Sequence, residues 1–377
     1  MSILTACSSD DNNDNDGNGG NGNGNEIENG TILKGTITSD VTLAAGNTYK
    51  LSGEYIVEEG ATLHIEEGVK IIAVYDDIAD YILVKQGGKI NAVGTPDKPI
   101  VMTSEKEEPG AWGGIHICGR AHTNAEGGKG SSEIGGAVYG GNDDADNSGT
   151  LQYIRLEYTG FAFDEEHEAN GISFYGVGNG TIVDHCQAYK GSDDGFEFFG
   201  GSVNVSNLVA VSCSDDSFDW TEGWNGKGTN LVAYQEAEST LGYDCDCLME
   251  CDNNGSNNAA TPVAHPVLKN LILVGNGGSK QGIRLRAGTE VEIDNAKVCG
   301  KGQPLTVETA LTENALKNGT SKLTNITLTS ELSSKEGIYT HADFIAVTSN
   351  KVDANLSYSS FEDIRKECSW MNGSWVK

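Results

Sequence analysis

The chain has 377 residues, 50 of them glycine, and a formal net charge of −30. A surface this acidic repels phosphate backbones and anionic headgroups, which excludes a nucleic-acid partner. The high glycine content, with 37% hydrophobic residues, argues against a helical bundle and against general disorder. A turn-rich all-β protein fits this composition better.

The first residues match the end of a lipoprotein signal peptide. Leu4-Thr5-Ala6-Cys7 fits the lipobox of bacterial lipoprotein signal peptides, so residues 1–7 are interpreted as a truncated signal whose Cys7 carries the lipid. The acidic residues that follow resemble a tag for the outside of the outer membrane. Residues 8–29, mostly Asp, Asn, Gly and Ser, predict a disordered tether. The alternative is an acidic N-terminus with a chance cysteine.

From residue 30 onward, short alternating apolar runs are separated by Gly, Asn and Asp. The segment 183–201 matches the segment 205–223, which lies 22 positions later, and a third copy begins at Asn230. Phe196 and Phe218 take equivalent positions in this match and are expected to point into the core. A period of 22 to 23 residues with three short strands is typical of one coil of a right-handed parallel β-helix. Residues 30–377 are therefore predicted to form one solenoid domain, in which the repeated asparagines stack at a turn.

The C-terminal region carries the signals of a short helix. Residues 360–367 begin with a serine suited to N-capping, followed by early acidic and late basic side chains. We expect this helix, with Trp370 and Trp375, to close the last coil and cover an exposed sheet edge.

Several motifs together resemble a known family. They are the glycine-rich run 110–124, the segment 139–149, the Ser-Asp-Asp-Gly-Phe-Glu-Phe-Phe-Gly-Gly coil at 192–201 and the tryptophan-bearing tail. They resemble right-handed β-helix outer-membrane lipoproteins of Gram-negative bacteria, over most of residues 45–377. The resemblance implies the fold and an outer-membrane, surface-exposed location, and it carries over no catalytic residues.

A set of acidic residues repeats from coil to coil. Asp193 and Asp194 align with Asp215 and Asp216, and a further acid, Asp219, aligns with Glu197. Equivalent residues of adjacent coils lie about 5 Å apart. Carboxylates at that distance raise one another's pKa or recruit a cation, and hard oxygen ligands suit Ca²⁺. These residues are thus a candidate calcium site, with a purely structural Asp-Gly turn as the alternative.

The same acids permit an enzymatic hypothesis. In a polysaccharide lyase or glycoside hydrolase, Asp193, Asp194, Asp215 and Asp216 would be catalytic, and Arg284 would act as a base beside a Ca²⁺-bound uronate. Arg286 shares a strand face with Arg284, and the pair would hold an anionic sugar. The Asn-x-Asp and Gly-His-Gly motifs of polygalacturonase-type enzymes are missing. The alternative for both arginines is a salt-bridged surface.

The remaining expectations concern cysteines and function. Eight cysteines follow Cys7, which permits up to four disulfides in an exported chain, with buried thiols as the alternative for Cys186 and Cys213. The first functional hypothesis is a surface-anchored binding or adhesion module for glycans, in which Trp220 and Trp224 contact the ligand. The second is the polysaccharide lyase or hydrolase, and the third is a purely structural surface protein.

Overall fold

The short apolar runs fold into one long parallel sheet that winds into a solenoid. The computed structural model describes residues 25–76, 78–163 and 167–377. Within these residues, 25 strands form a continuous parallel sheet, and two further strands form a separate antiparallel pair. This arrangement confirms the predicted right-handed parallel β-helix.

The elements follow one another in chain order. The strands are β1 Asn25–Ile27, β2 Ile32–Ile37, β3 Val41–Leu43, β4 Thr48–Val57, β5 Thr62–Ile65, β6 Lys70–Ala73, β7 Tyr81–Val84, β8 Lys89–Val93, β9 Ile100–Ser104, β10 Ile115–Cys118, β11 Gly130–Ser131, β12 Val138–Tyr139, β13 Gly149–Glu157, β14 Ile172–Tyr175, β15 Ile182–Tyr189, β16 Phe196–Phe199, β17 Asn204–Val211, β18 Phe218–Thr221, β19 Lys227–Tyr234, β20 Met249–Cys251, β21 Val267–Val274, β22 Gln281–Leu285, β23 Glu292–Cys299, β24 Gln303–Val307, β25 Lys322–Leu328, β26 Ser333–Ser334 and β27 Lys351–Val352. The α-helices are α1 Glu238–Leu241, α2 Ala310–Asn318, α3 His341–Ala346 and α4 Phe361–Glu367, and short 3-10 turns lie at Glu126–Gly128 and Ser369–Met371.

Each central coil has three faces. The long strands from β13 to β25 bend in the middle, so that their first halves form the first face and their second halves form the second face. The third face is formed by β7, β10, β14, β16, β18, β20, β22, β24 and β26.

Asparagines turn the chain between the first and second faces. Asn207, Asn230, Asn270 and Asn295 all have a left-handed backbone, with φ between 55° and 64°, a conformation that asparagine tolerates better than most residues. The Asn230 amide donates to Asn207 at 2.8 Å, and the Asn270 amide donates to Asn230 at 3.0 Å. The predicted stack of turn asparagines is confirmed.

The core runs along the inside of the solenoid. Phe196 and Phe218 are paired in register and stack with ring centroids 5.6 Å apart, as their equivalent inward positions predict. Trp220 and Trp224 are each only 1% exposed, and Trp224 stacks on Phe198 at 4.2 Å. Rings inside the core cannot stack on a sugar, which corrects the assignment of both tryptophans as ligand-binding residues.

The C-terminal helix forms where it is expected but packs elsewhere. Helix α4 and the tail after it lie against outward-facing apolar side chains of the second face, among them Val209, Val232 and Ile272. At the end of the tail, the Lys377 backbone amide donates to Gln187 at 2.8 Å. The segment therefore straps the side of the solenoid. Phe344 of α3, which is fully buried, joins the core near the last coil instead.

The cysteines also depart from expectation. All eight that the structure describes are buried, and all are free. Disulfide staples are therefore not supported, and the buried-thiol alternative describes more cysteines than Cys186 and Cys213. Cys7 and residues 8–24 of the predicted tether lie outside the described residues, and β1 begins at Asn25, ahead of the predicted start at residue 30.

An insertion covers part of the third face. Residues 119–148 connect β10 to β13 and contain the β11–β12 pair. Ile134, Ala137 and Tyr139 of this insertion pack against Tyr175 and Phe199 on the outside of the third face. Among the described residues, no helix is long and apolar enough to cross a membrane.

Candidate functional site

The predicted acids come together at the third face and at the turns that precede its strands β16 and β18. Strands β16 and β18 pair so that Glu197 lies beside Asp219, as the repeat comparison predicts. One carboxylate oxygen from each of Asp193, Asp194 and Asp215 lies within 4.8 Å of the others. The same holds for Asp194, Glu197 and Asp219. We call this surface the acidic face: Asp193, Asp194, Glu197, Asp215, Asp216, Asp219 and Glu250.

Two members of the acidic face have a structural role as well. The Asp194 Oδ1 atom accepts a hydrogen bond from the Asp216 amide at 2.8 Å, and Asp216 Oδ1 accepts one from the Cys247 amide at 2.6 Å. One coil earlier, Asn170 Oδ1 accepts from the Asp194 amide at 3.2 Å. A neutral asparagine thus makes the same turn contact. The alternative prediction of a structural turn is therefore correct for one carboxylate oxygen of Asp194 and one of Asp216. A turn contact does not explain why charged residues stand at these positions.

Burial makes these charges costly. It raises the pKa of Asp193 to about 7 and that of Asp215 to about 6, and neighbouring carboxylates add to both shifts. Burial and neighbouring acids also hold the pKa values of Asp194, Glu197 and Asp219 well above the usual range. At neutral pH the folded state therefore needs bound protons, a bound cation or a neighbouring positive side chain to accommodate the acidic face. Asp215 as a whole residue is exposed, so its carboxylate can be reached from solvent even though the surrounding protein atoms displace part of its water.

Two arginines lie on the coil after Glu250, on the outer side of the third face. The Arg284 Nη1 atom lies 2.8 Å from a Glu250 oxygen, and its Nε lies 3.3 Å from Glu308. Arg286 Nε lies 2.7 Å from Asp252, and this arginine also pairs with Glu250. The prediction that both arginines share a face is confirmed, and they are salt-bridged as the alternative proposed.

The ion pairs decide what Arg284 can do. Burial acts to lower its pKa, but the hydrogen bonds and charges of Glu308 and Glu250 outweigh burial, so the pKa is raised. An arginine held in the charged form does not accept a proton. Arg284 is therefore suited to holding an anion and poorly suited to the role of a catalytic base.

Sequence comparison missed Glu250, Asp252 and Glu308. Residues 227 and 267 are register partners on adjacent coils, so the intervening coil is much longer than 22 residues and conceals the repeat. The alternation in Met249-Glu250-Cys251 could have revealed Glu250, because it matches Phe218-Asp219-Trp220. In both segments the two apolar residues point inward and the acid between them points outward.

Concave surfaces lie away from the acidic face. A cavity of about 740 Å³ on the first face is lined by residues that include Asp40, His64 and Asn91. Another, of about 700 Å³, lies between the insertion and the loop after β20, with Glu222 and Asn254 in its wall. Neither contains one of the convergent carboxylate groups found among the described residues, so the acidic face remains the candidate site.

A protein-family model matches residues 35–376, and it describes a pectate-lyase-like β-helix domain. The chain belongs to this family. No curated protein and no solved structure matches it significantly. Family membership agrees with a glycan-directed role at the level of the family and names no substrate or reaction for this chain.

Proposed function

We propose that this protein binds acidic polysaccharide through a divalent cation, Ca²⁺, held on the acidic face. The observation that carries the proposal is the convergence of oxygens from Asp193, Asp194 and Asp215 within 4.8 Å. Ca²⁺ takes six to eight oxygen ligands in a flexible geometry, so uronate carboxylates and water complete the shell. The exposed Asp215 leaves one side of the cluster open to such a ligand.

The arginines extend this binding surface. Arg284 and Arg286 follow Glu250 on the next coil, about 4.8 Å further along the solenoid. A second uronate of the same chain would meet these guanidinium groups, which bind carboxylates through paired hydrogen bonds. The glycan would therefore run along the solenoid axis, with one carboxylate on the cation and another at the arginines.

Cleavage is the second candidate, and family membership is the observation that favours it. Eliminative cleavage needs a group that removes a proton beside the cation-bound uronate. Arg284 is ion-paired to Glu250 and Glu308, which opposes that role. Binding without turnover therefore ranks first, and a purely structural role ranks third.

Titration calorimetry with polygalacturonate, a polymer of uronate, tests the proposal. We expect binding with Ca²⁺, little binding to metal-free protein, and none to a neutral polysaccharide. The double variant Asp194→Asn/Asp216→Asn should lose binding while keeping its turns, since Asn170 makes the same contact. Exposed Asp97 supplies a control, Asp97→Asn, which should bind normally. Binding that is independent of Ca²⁺, or intact in the double variant, contradicts the proposal.

The same samples separate binding from cleavage. Eliminative cleavage creates unsaturated uronates with strong ultraviolet absorbance, and hydrolysis creates reducing ends without that absorbance. Neither signal is expected to rise above the control without protein. A rise in absorbance that depends on Ca²⁺ would make the protein a lyase.

We also propose that the protein is displayed on the outer membrane through a lipid on Cys7. The support is the lipobox Leu4-Thr5-Ala6-Cys7 and the acidic, polar composition of residues 8–24 after it.

A further inference from the structure

A buried thiol lies at the edge of the acidic face and is surrounded by oxygens. Cys247 is fully buried, and its Sγ lies 3.4 Å from Asp246 Oδ1, 3.9 Å from Gln281 Oε1 and 4.0 Å from Glu250 Oε2. A thiol carries one proton and donates it to only one acceptor at a time. The other oxygens therefore face the sulfur without a hydrogen between them.

The spacing around Cys247 matches a shared ion. One ligand atom from each of Asp216, Cys247 and Glu250 lies within 4.8 Å of the others. In zinc sites the metal lies about 2.3 Å from sulfur and about 2.0–2.2 Å from carboxylate oxygen, so the two ligands of one ion are at most about 4.5 Å apart. The observed separation of 4.0 Å between Cys247 and Glu250 falls inside that limit.

A second observation also points to a missing cation. Asp219 is outside this group, but it lies beside two of its members: it is the register partner of Glu250 on the preceding coil, and of the neighbouring acids it raises the pKa of Asp216 most. Its Oδ1 atom is buried and has no hydrogen-bond partner among the described residues. An unpaired oxygen of a buried acid is costly, and such sites are commonly completed by an ion or a water.

We propose that Asp216, Cys247 and Glu250 form a second cation site, which takes a thiophilic divalent ion such as Zn²⁺. Gln281 supplies a neutral fourth oxygen. On binding, the sulfur–metal bond forms as the thiol proton leaves to solvent. A thiolate ligand selects against Ca²⁺, which prefers oxygen alone. The site shares Asp216 and Glu250 with the acidic face, but it differs in chemistry from the calcium group of Asp193, Asp194 and Asp215, and it does not depend on the binding of acidic polysaccharide.

The neighbouring cysteines take no part in this site. Cys251 lies in the main core, on the inward side of β20, so its sulfur is on the opposite side of the strand from Glu250. The Cys245 carbonyl accepts a hydrogen bond from the Lys301 ammonium at 2.8 Å, and its thiol is outside the convergent group. Metal binding thus rests on one thiol and two carboxylates.

The surrounding charges suit a divalent ion. Three anionic ligands carry more negative charge than one divalent cation neutralises. Arg284 and Arg286 both pair with Glu250, and their positive charges offset the negative charge that the cation leaves. The arginines hold the Glu250 carboxylate in place, while the ion would engage its remaining electron pairs.

Cadmium titration tests the site, because Cd²⁺ bound to a thiolate has an ultraviolet charge-transfer band. Metal-free protein should develop this band at one equivalent of Cd²⁺, excess Zn²⁺ should remove it, and excess Ca²⁺ should leave it unchanged. Cys247→Ser should abolish the band. Cys368→Ser, on the C-terminal strap, is the matched control and should retain it.

A second variant keeps the test valid if Cys247→Ser does not fold. Asp216→Asn preserves the turn contact, as Asn170 shows two positions earlier in the same series. It should keep the band but weaken Cd²⁺ binding by at least about tenfold, since even outer partners of a metal site contribute that much. A band that is absent from the native protein, survives Cys247→Ser or yields to Ca²⁺ overturns the proposal.

Discussion

Adding Ca²⁺ to metal-free protein is expected to stabilise it, and more strongly at higher pH. Burial, helped by neighbouring acids, raises the pKa of Asp193 to about 7 and that of Asp215 to about 6, whereas both groups ionise near pH 4 in an unfolded chain. Between these values the folded state binds more protons than the unfolded state. Without a cation, the free energy of unfolding therefore falls as the pH rises from about 4 to about 7.

The magnitude follows from the same shift. A carboxyl whose pKa rises from about 3.8 to about 7, as for Asp193, costs the folded state up to about 4 kcal/mol once it ionises. Asp215 is exposed and adds less, because solvent screens its charge. At a hundred times its dissociation constant, Ca²⁺ restores about 2.7 kcal/mol. At roughly 2 °C per kcal/mol, that is a rise of about 5 °C in melting temperature.

Thermal unfolding followed by circular dichroism at a fixed scan rate measures this rise. We expect a gap of about 5 °C between samples with and without Ca²⁺ near pH 8, and almost none near pH 5, where protons occupy the acidic face. Asp194→Asn/Asp216→Asn should close the gap, and Asp97→Asn should retain it. A gap of equal size at both pH values, or a gap that persists in the double variant, would refute the electrostatic reasoning.

The remaining predictions test the core, the backbone and the anchor. Trp220→Ala should lower the free energy of unfolding by about 3–5 kcal/mol in a denaturant titration, and a smaller loss of about 1 kcal/mol would contradict its place in the core. Glu222 has a left-handed backbone (φ 54°) where the preceding coil has Gly200 (φ 65°), so Glu222→Ala should be about 1 kcal/mol less stable than Glu222→Gly by the same assay; equal stabilities would remove the strain argument. Cys7→Ala, in a chain with a complete signal peptide, should appear in the soluble fraction after cell fractionation, and continued sedimentation with membranes would place the anchor elsewhere.

The solenoid was predictable where the coils keep a constant length. The 22-residue offset between Phe196 and Phe218 is a local property of the sequence, and each coil repeats the same pairing of inward and outward residues. The asparagine turn was predictable for the same reason, since one left-handed position recurs in every central coil. Insertions break that regularity, and Glu250 was missed because its coil holds an additional loop.

The tryptophans show how a strand pattern outweighs residue type. Trp220 lies two positions after Phe218, and alternate residues of a strand face the same side. Because Phe218 was expected to point inward, the same rule places Trp220 in the core, as the structure has it. The chemistry of the indole ring suits a sugar, but strand alternation decides which side of the sheet the ring faces.

The C-terminal strap shows the opposite limit. The early acids and late bases are local signals, so the bounds of α4 were predictable from residues 360–367, although the Ser360 side chain makes no capping hydrogen bond. Its docking depends on an apolar outer surface formed by Val209, Val232 and Ile272, which belong to different coils and meet only in the folded solenoid. Sequence patterns along one strand do not reveal what covers its outer side.

The stacking of coils also explains why a ligand that binds the acidic face should change the stability of the fold. In a parallel solenoid, a repeated acid at an outward position is placed beside its own copy at the interstrand spacing of about 4.8 Å, so Glu197, Asp219 and Glu250 form one row by register alone. Repulsion within such a row grows with every added coil, while the backbone pairing that creates it stays fixed. Bound protons, the flanking arginines or a cation must offset that repulsion. A ligand that brings or retains a cation therefore binds and stabilises the fold at the same place, which is why the calcium and cadmium titrations report on structure as well as on function.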